Sequence, residues 1–378
     1  MALENALVGR PIRLEPPFEG SGADMLRRNP DGVRVVLAEG GDARIVPGPS
    51  AAGWLEILED LRRRGAPVFL ETEDGEPVVI RLLLPLPVTV SGLTDRGDQM
   101  DVQLHPSHAR FRLRRANPDF GELVDALRDA EMRGSRLLVT ATDDHEIIDV
   151  RVDTGGAGGG GSELWGAAEE PLRFEPDRWL DAFLEALRRL LRWLLCWFRC
   201  VSPRRAQELF DLAAARSCDP LAVPVPCIPF LYPDDGCWGR AHEMCRLFLQ
   251  HGVRPRKVWI YGGLHVETRN NPSCFVNWYW HVAPIVCVRG RLFRTRQMVI
   301  DPALFDAPVT EATWKSVQGD PGAVLERSDA EIFWRSQGGT STQTDPTYQQ
   351  AESVLATYRL FLKNRALSFG PPPYAGCP

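Results

Sequence analysis

Two segments in the N-terminal half of the chain repeat one pattern of apolar and polar positions. In each segment the apolar residues stand at i, i+1, i+4 and i+7, a stripe typical of a helix that packs one face on a sheet. The residues of the two stripes are Trp54, Leu55, Leu58 and Leu61, and Leu123, Val124, Leu127 and Ala130. Gly65 and Gly134 follow at equivalent positions, where a helix would end. The pattern predicts two similar helices.

Short runs rich in β-branched and aliphatic residues flank both helices, two before and two after each. By number they are 33–37, 44–46, 68–70 and 78–80 around the first helix, and 100–104, 110–113, 137–139 and 147–149 around the second. We therefore predict two repeated small α+β units over residues 10–84 and 85–153, each running strand–strand–helix–strand–strand. Neither contains a nucleophile, a metal-ligand set or a phosphate loop, so we expect a binding, targeting or inhibitory module. His105 and His108 flank a turn and are expected in solvent.

A glycine-rich linker follows at residues 154–175, and its composition predicts flexibility. Residues 176–200 then form a strongly hydrophobic helix with tryptophans at 179, 193 and 197. Charged residues interrupt it, so it is a poor membrane span. Two roles stay open for this helix: packing against the catalytic domain, or contact with a membrane surface or a partner protein.

In the C-terminal half, apolar residues at helical spacing begin just after Cys237 and end at Gly252. This places Cys237 in the first turn of a helix. Unpaired backbone N–H groups and the helix dipole favour a thiolate there, the form in which a cysteine is nucleophilic. A small buried cysteine at a helix start would give the same pattern.

His281 lies in a strand-like run over residues 275–288, which a tight turn joins to a second strand ending before Asp301. Strict alternation along the first strand would put Tyr279 on the face of His281 and Trp278 on the opposite face. A carboxylate beside the histidine would fix its tautomer for work as a base. A core histidine beside a turn aspartate is the alternative for either residue alone. Helix-start Cys, strand His and next-strand Asp together favour thiol catalysis.

These residues resemble the bacterial protein glutaminase (protein-glutamine deamidase) family, whose fold is related to transglutaminases and papain-like cysteine proteases. The motifs that carry the resemblance are Asp235-Gly236-Cys237, Arg240-Ala241-His242, Trp278-x-x-His281-Val282-Ala283, Ile300-Asp301-Pro302-x-Leu304-Phe305, Pro308-Val309-Thr310 and Trp314. The resemblance covers about residues 202–368. It implies an α+β, papain/transglutaminase-like catalytic domain over residues 201–368. It also implies a catalytic triad of Cys237, His281 and Asp301.

Further expectations concern the surroundings of the triad. We expect Trp238, Trp278 and Tyr279 to contribute to substrate or oxyanion binding. The resemblance favours a disulfide between Cys218 and Cys227, which a reducing compartment would oppose. A final helix is predicted at about residues 348–364, and the proline-rich tail, 369–378, is predicted to be disordered.

Composition narrows the class of protein. The 378 residues are 44% hydrophobic and 25% charged, ordinary values for a globular chain. The formal net charge of −6 argues against nucleic-acid binding. Nine cysteines raise the alternative of a zinc cluster of Cys237, Cys245, His242 and His281. Because C-x-x-C spacing is missing, we expect no metal and no other cofactor. The first residues lack a basic and an apolar segment, so we expect no signal peptide, synthesis in the cytoplasm and, as an open alternative, export by a non-Sec route.

The sequence thus predicts thiol-dependent deamidation of protein-bound glutamine to glutamate, with ammonia release through a cysteine thioester. Its expected partner is a protein or peptide with an accessible glutamine, and the N-terminal units can bind a further protein. A cysteine protease or a transglutaminase would use the same triad. A deamidating toxin or effector and a non-catalytic adaptor are the remaining alternatives.

Overall fold

The computed structural model describes residues 5–153, 200–222, 226–290 and 294–377. The predicted linker and all of the predicted hydrophobic helix except Cys200 lie outside the described residues. The described part is a mixed α/β structure. Its helices are α1 (Gly22–Arg28), α2 (Ala51–Arg64), α3 (Phe120–Arg133), α4 (Pro203–Ala214), α5 (Cys237–Gln250), α6 (Glu311–Ser316) and α7 (Gln349–Phe369). Within these residues, no helix is long and apolar enough to cross a membrane.

The strands fall into an N-terminal and a C-terminal group. The N-terminal strands are β1 (Ala6–Gly9), β2 (Pro11–Glu15), β3 (Val33–Leu37), β4 (Asp42–Ile45), β5 (Val68–Thr72), β6 (Val79–Leu83), β7 (Leu86–Asp95), β8 (Gln99–His105), β9 (Phe111–Arg114), β10 (Arg136–Ala141) and β11 (Ile147–Val152). The C-terminal strands are β12 (Arg256–Glu267), β13 (Phe275–Arg289), β14 (Thr295–Val299), β15 (Val309–Thr310), β16 (Val324–Asp329), β17 (Ile332–Arg335) and β18 (Thr342–Thr344).

The two N-terminal units share one pairing scheme. In the second unit the strand order is β11-β10-β7-β8-β9, and a parallel bridge between Arg112 and Glu146 links β9 to the turn before β11. The first unit has β6-β5-β1 and β2-β3-β4, with a parallel bridge between Arg44 and Val78. Strands β1 and β2, separated at Arg10, therefore occupy the place of the long strand β7. Each unit thus has five strand positions and one central helix, and the first unit has the short helix α1 in addition.

Both central helices end as the sequence predicts. Gly65 follows α2 and Gly134 follows α3, each in the left-handed conformation with φ of 61° and 63°. Each helix buries its apolar stripe in a core of its own unit, the first around Leu55 and Leu58 and the second around Leu127. Since each unit has its own apolar core, the pattern along the chain located α2, α3 and the strands on either side of them. It did not predict β1, β2, α1 or β7.

The C-terminal part is built on a five-stranded antiparallel sheet with the order β15-β14-β13-β12-β16. Helix α5 packs on the central strand β13, and α4 covers the end of the same face. Because β13 is central, it has strand partners on both edges and most of its residues are buried. The sheet therefore offers a rigid support to a residue on β13 that faces the start of α5.

Helix α7 connects the two halves of the protein. It extends to Phe369, five residues beyond the predicted end, because its C-terminal turns pack against the N-terminal units. Leu360 and Leu367 join the core of the first unit, and Phe361 contacts three apolar clusters. The Asn364 side-chain amide donates to the carbonyl of Leu82 at 2.9 Å. This helix belongs to both halves at once.

The prediction of a disordered tail at residues 369–378 was wrong for the described residues 370–377. A disulfide joins Cys377 to Cys274, and the backbone N–H of Tyr374 donates to the carbonyl of Arg269 at 2.8 Å. The prediction followed from the proline run and the low apolar content of the segment. A single disulfide is enough to order the segment in spite of both. Two more disulfides join Cys218 to Cys227 and Cys200 to Cys287. Among the described cysteines, Cys237 and Cys245 are free.

Candidate active site

Cys237 is the first residue of α5, and Gly236 is the N-cap. Gly236 has φ of 80°, and a Cβ on it would lie 2.3 Å from the ring of Tyr358. Only glycine satisfies both the left-handed turn and this close approach. The turn aims the Cys237 side chain at β13, where it is 1% exposed. The position at the helix start is the one predicted from the sequence.

His281 and Asp301 form a buried pair beside Cys237. Nε2 of His281 lies 2.9 Å from Oδ2 of Asp301, and the indole N–H of Trp314 donates to the same oxygen at 2.9 Å. Burial alone would raise the pKa of Asp301, but His281 and the two hydrogen bonds hold it below its usual value. An ionised carboxylate only accepts, so Nε2 of His281 carries the proton and Nδ1 presents its lone pair. Nδ1 is buried and has no hydrogen-bond partner among the described residues.

Two indole rings hold the imidazole of His281 in place. Trp278 stacks on it with ring centroids 4.4 Å apart, and Trp314 stacks at 5.5 Å. The prediction that Trp278 faces away from His281 was wrong. The strand pairing shifts between Tyr261 and Leu264 of β12, and this bulge interrupts the alternation on β13 beside Trp278. Trp278 therefore contacts the histidine.

A segment of the N-terminal module, residues 107–110, covers Cys237. The Ser107 hydroxyl donates to Asp235 at 2.5 Å. The His108 carbonyl accepts from the backbone N–H of Tyr279 at 2.9 Å, and the Arg110 N–H donates to the Asn277 carbonyl at 3.0 Å. The segment thus runs along β13 like a short additional strand.

His108 reaches deepest into the site. Its Nδ1–H donates to the Trp280 carbonyl at 3.0 Å, and its Nε2 accepts from the backbone N–H of Cys237 at 3.5 Å. The side chain is fully buried, so the expectation of a solvated His108 was wrong. His105 is part-buried and its ring packs edge-on against Trp334 at 4.5 Å. Both predictions failed because His105 and His108 contact residues more than a hundred positions away in the sequence. A local sequence pattern contains no information about such contacts.

Burial also sets the charge state of the covered site. It raises the pKa of Cys237 well above its usual value, although Arg240 and the backbone N–H of Val282 favour the thiolate. Burial lowers the pKa of His108 well below its usual value, and the nearby His281 acts in the same direction. The covered site therefore holds the neutral thiol of Cys237 beside the neutral imidazole of His108.

The remaining predicted residues lie around this centre in different ways. Tyr279 is half-buried and its ring lies under the Arg110 guanidinium at 5.0 Å. Trp238 is buried between Trp280 and Tyr358, and its ring also packs edge-on against His108 with ring centroids 6.0 Å apart.

Asp235, which the sequence predicts only as part of the motif before Cys237, is buried and binds the covering segment. Its carboxylate accepts from Ser107, from Tyr358 at 2.6 Å and from the backbone of His108 at 3.2 Å. Burial raises its pKa, and these hydrogen bonds oppose that rise. Its position directly before Gly236-Cys237 was the available signal.

The metal-ligand donors that lie together in the structure differ from the predicted alternative of Cys237, Cys245, His242 and His281. One ring nitrogen of His108, one of His281 and the sulfur of Cys237 all lie within 4.8 Å of one another. His242 instead accepts from Lys257 at 2.9 Å and contacts the Asp345 carbonyl. His242 and Cys245 are therefore not part of this cluster.

Comparison with known proteins agrees with the resemblance read from the motifs. Residues 206–318 match the glutaminase family model, which confirms the resemblance for that part of the chain. Among curated proteins, no sequence matches the chain.

Solved structures are similar to this chain over more of its length than the family model covers. The crystal structure of a pro- protein-glutaminase is 21% identical, with a TM-score of 0.50, over 78% of this chain and 99% of its own. That of its A47Q2 mutant is 20% identical, with a TM-score of 0.48, over 72% and 92%. The NMR structure of protein-glutaminase from Chryseobacterium proteolyticum is 27% identical, with a TM-score of 0.40, over 47% and 97%. The first likeness shows a shared fold, and its 78% coverage includes part of the N-terminal half.

Proposed function

We propose that this chain, which matches the glutaminase family over residues 206–318, converts protein-bound glutamine to glutamate through a Cys237 thioester. The observation that carries the proposal is the order Asp301, His281, Cys237 at the start of α5. Asp301 holds the Nε2 proton of His281, and the lone pair of Nδ1 is left for the thiol proton.

The reaction needs the covering segment to move away first. His281 then takes the Cys237 proton, and the thiolate attacks the carboxamide carbon of a glutamine side chain. The backbone N–H of Cys237, which His108 occupies in the covered chain, is freed to donate to the oxyanion. His281 returns the proton to the departing nitrogen, so ammonia leaves and a thioester forms. Water, deprotonated by His281, hydrolyses the thioester and regenerates the thiol.

We infer that the N-terminal module keeps the enzyme latent. Residues 107–110 pair with β13 and His108 takes the candidate oxyanion donor, so a substrate chain has no room at Cys237. The pro- form named for the similar crystal structure supports this role. A module that only recruits substrates would have no reason to bury the nucleophile.

Ammonia release from a glutamine-containing peptide tests the activity. We expect release by the wild type after the chain is cut at a protease site placed within residues 155–161. Cys237→Ala should lose at least about three orders of magnitude in rate, and Cys245→Ser, at the other free thiol, should keep it. Mass spectrometry of the peptide must find the amide converted to the acid. Peptide cleavage, or cross-linking to an added amine, would instead indicate a protease or a transglutaminase.

The same cut tests latency. We expect the uncut chain to release ammonia much more slowly than the cut chain, with small peptides as well as proteins. Equal rates before and after the cut would contradict latency and favour a module that recruits the substrate.

A further inference from the structure

The cluster at Cys237 contains three metal-ligand atoms that come from both halves of the chain. His108 belongs to the N-terminal module, whereas Cys237 and His281 belong to α5 and β13. Their donor atoms lie within 4.8 Å of one another, and each side chain is at most 1% exposed. His108 takes no part in the proposed reaction, but in the covered chain its Nε2 lies at the backbone N–H of Cys237, beside the other two donors.

Both imidazoles are already in the tautomer that a metal ion requires. The Nδ1–H of His108 donates to the Trp280 carbonyl, so the lone pair lies on Nε2. The Nε2–H of His281 donates to Asp301, so its lone pair lies on Nδ1, which is buried and has no hydrogen-bond partner among the described residues. A histidine that gives its second N–H to a carbonyl or carboxylate is the usual arrangement around a bound metal. An unpartnered buried nitrogen is costly, and a metal ion would satisfy it.

The donor set selects the kind of ion. One thiolate and two imidazoles suit Zn²⁺ and exclude Mg²⁺ and Ca²⁺, which take oxygen ligands. Tetrahedral zinc with bonds of about 2.0–2.3 Å places its ligand atoms about 3.3–3.8 Å apart. The three donors therefore need to close by roughly 1 Å, within the range of small side-chain rotations, and the fourth position of the ion is left for a ligand other than these three residues.

We propose that the covered chain binds one Zn²⁺ ion between His108, Cys237 and His281. The thiol loses its proton to solvent as the sulfur–zinc bond forms, and both imidazoles bind as neutral ligands. Only the covered arrangement supplies all three donors, so the ion stabilises the module on the catalytic part and blocks the nucleophile. The proposal rests on the three donors and does not require the proposed deamidation.

Cobalt provides the direct test, because a cobalt–thiolate bond absorbs in the near ultraviolet. Metal-free full-length chain is titrated with Co²⁺ and then Zn²⁺ without thiol reductants, which would attack the disulfides. We expect one equivalent of Co²⁺ to give the charge-transfer band and Zn²⁺ to remove it. Cys237→Ser should abolish the band, His108→Gln should weaken binding by at least about tenfold, and the control Cys245→Ser should match the wild type. No band in the wild type, or equal affinity in His108→Gln, would overturn the proposal.

A second measurement guards against a variant that fails to fold. X-ray absorption on the wild-type zinc complex counts its ligands without any substitution. One sulfur with two imidazoles supports the proposal, and one sulfur with a single imidazole overturns it. All readouts are made without substrate. A chain that binds zinc but deamidates nothing would refute only the proposed function, and an active chain that binds no zinc would refute only the metal site.

Discussion

At the scale of single residues, the charge state of Cys237 depends on whether its side chain is covered. The start of α5 favours a thiolate at Cys237, yet burial under His108 raises the pKa of that thiol well above its usual value. When the covering segment leaves, solvent reaches the sulfur and the desolvation cost falls. The helix start, Arg240 and the Val282 N–H then favour the thiolate, with only the negative charges of Asp235 and Asp301 acting against it. The same residue is thus an inert thiol when covered and a candidate nucleophile when uncovered.

The charge of Asp301 should matter more to the reaction than its hydrogen bond. Asp301→Asn keeps an acceptor near Nε2 of His281, but it removes the negative charge that stabilises the imidazolium. We expect the rate of ammonia release by the cut chain to fall by about 10²–10⁴-fold. Trp314→Phe, which removes a neutral donor to the same oxygen, should cost much less. A wild-type rate in Asp301→Asn would remove Asp301 from the mechanism.

Gly236 should be intolerant of any side chain for two separable reasons. Gly252 has a similar φ of 75° but open space where a Cβ would stand. Gly252→Ala should therefore cost only the left-handed strain, about 1 kcal/mol of unfolding free energy. Gly236→Ala adds the collision with Tyr358 and should cost at least twice as much. Denaturant unfolding compares the two variants, and equal losses would mean that Tyr358 moves aside freely.

At the scale of helices and strands, the sequence located the central helix of each N-terminal unit, but not every element that packs on the same core, since β1, β2, α1 and β7 were not predicted. Helices α2 and α3 bury stripes within their own units, so spacing alone located them and their glycine ends. The bulge in β12 and the added turns of α7 depend on distant partners and left no local pattern. The three candidate catalytic residues were recognisable from residue type and chain order. His108 was not, because its burial comes entirely from docking.

The contact between α5 and β12 should make stability depend on pH. His242 is buried and its pKa is lowered to about 4, mainly by burial and then by Lys257. The unfolded chain therefore protonates His242 near pH 6.5, whereas the folded chain protonates it only near pH 4. The contribution of His242 to the free energy of unfolding is complete above pH 6.5 and is lost as the pH falls from 6.5 to 4.

His242→Gln isolates this effect, because glutamine can still accept from Lys257 but does not titrate. We expect the variant to lose less unfolding free energy than the wild type between about pH 7 and about pH 5, by about 2 kcal/mol. Denaturant titrations at the two pH values measure the difference. Other histidines whose pKa is lowered, such as His108 and His145, contribute equally to both proteins and cancel. Identical pH dependence in the two would show that His242 titrates normally.

At the scale of the whole molecule, a buried arginine on α7 adds a charged link between the module and the catalytic part to the other contacts of that helix. Arg365 donates to Asp234, which lies before Cys237, at 2.6 Å and to Asp143 of the second unit at 2.7 Å. It is fully buried, so each carboxylate offsets part of the cost of burying the guanidinium. The covered state is therefore held by a charge network as well as by His108.

Weakening this network from the module side should uncover Cys237 without touching the catalytic residues. Asp143→Asn removes one charge from Arg365 but leaves its pair with Asp234 intact. Since Asp143 is partly exposed, we expect a loss of about 1 kcal/mol in the closed state, hence about fivefold faster alkylation of Cys237 in the uncut, metal-free chain. Asp144→Asn is the matched control, because Asp144 pairs with Arg112 inside the module. Cys245, buried elsewhere on α5, should stay unlabelled in every variant. Equal alkylation rates in the two variants would mean that the charge network does not hold the module in place.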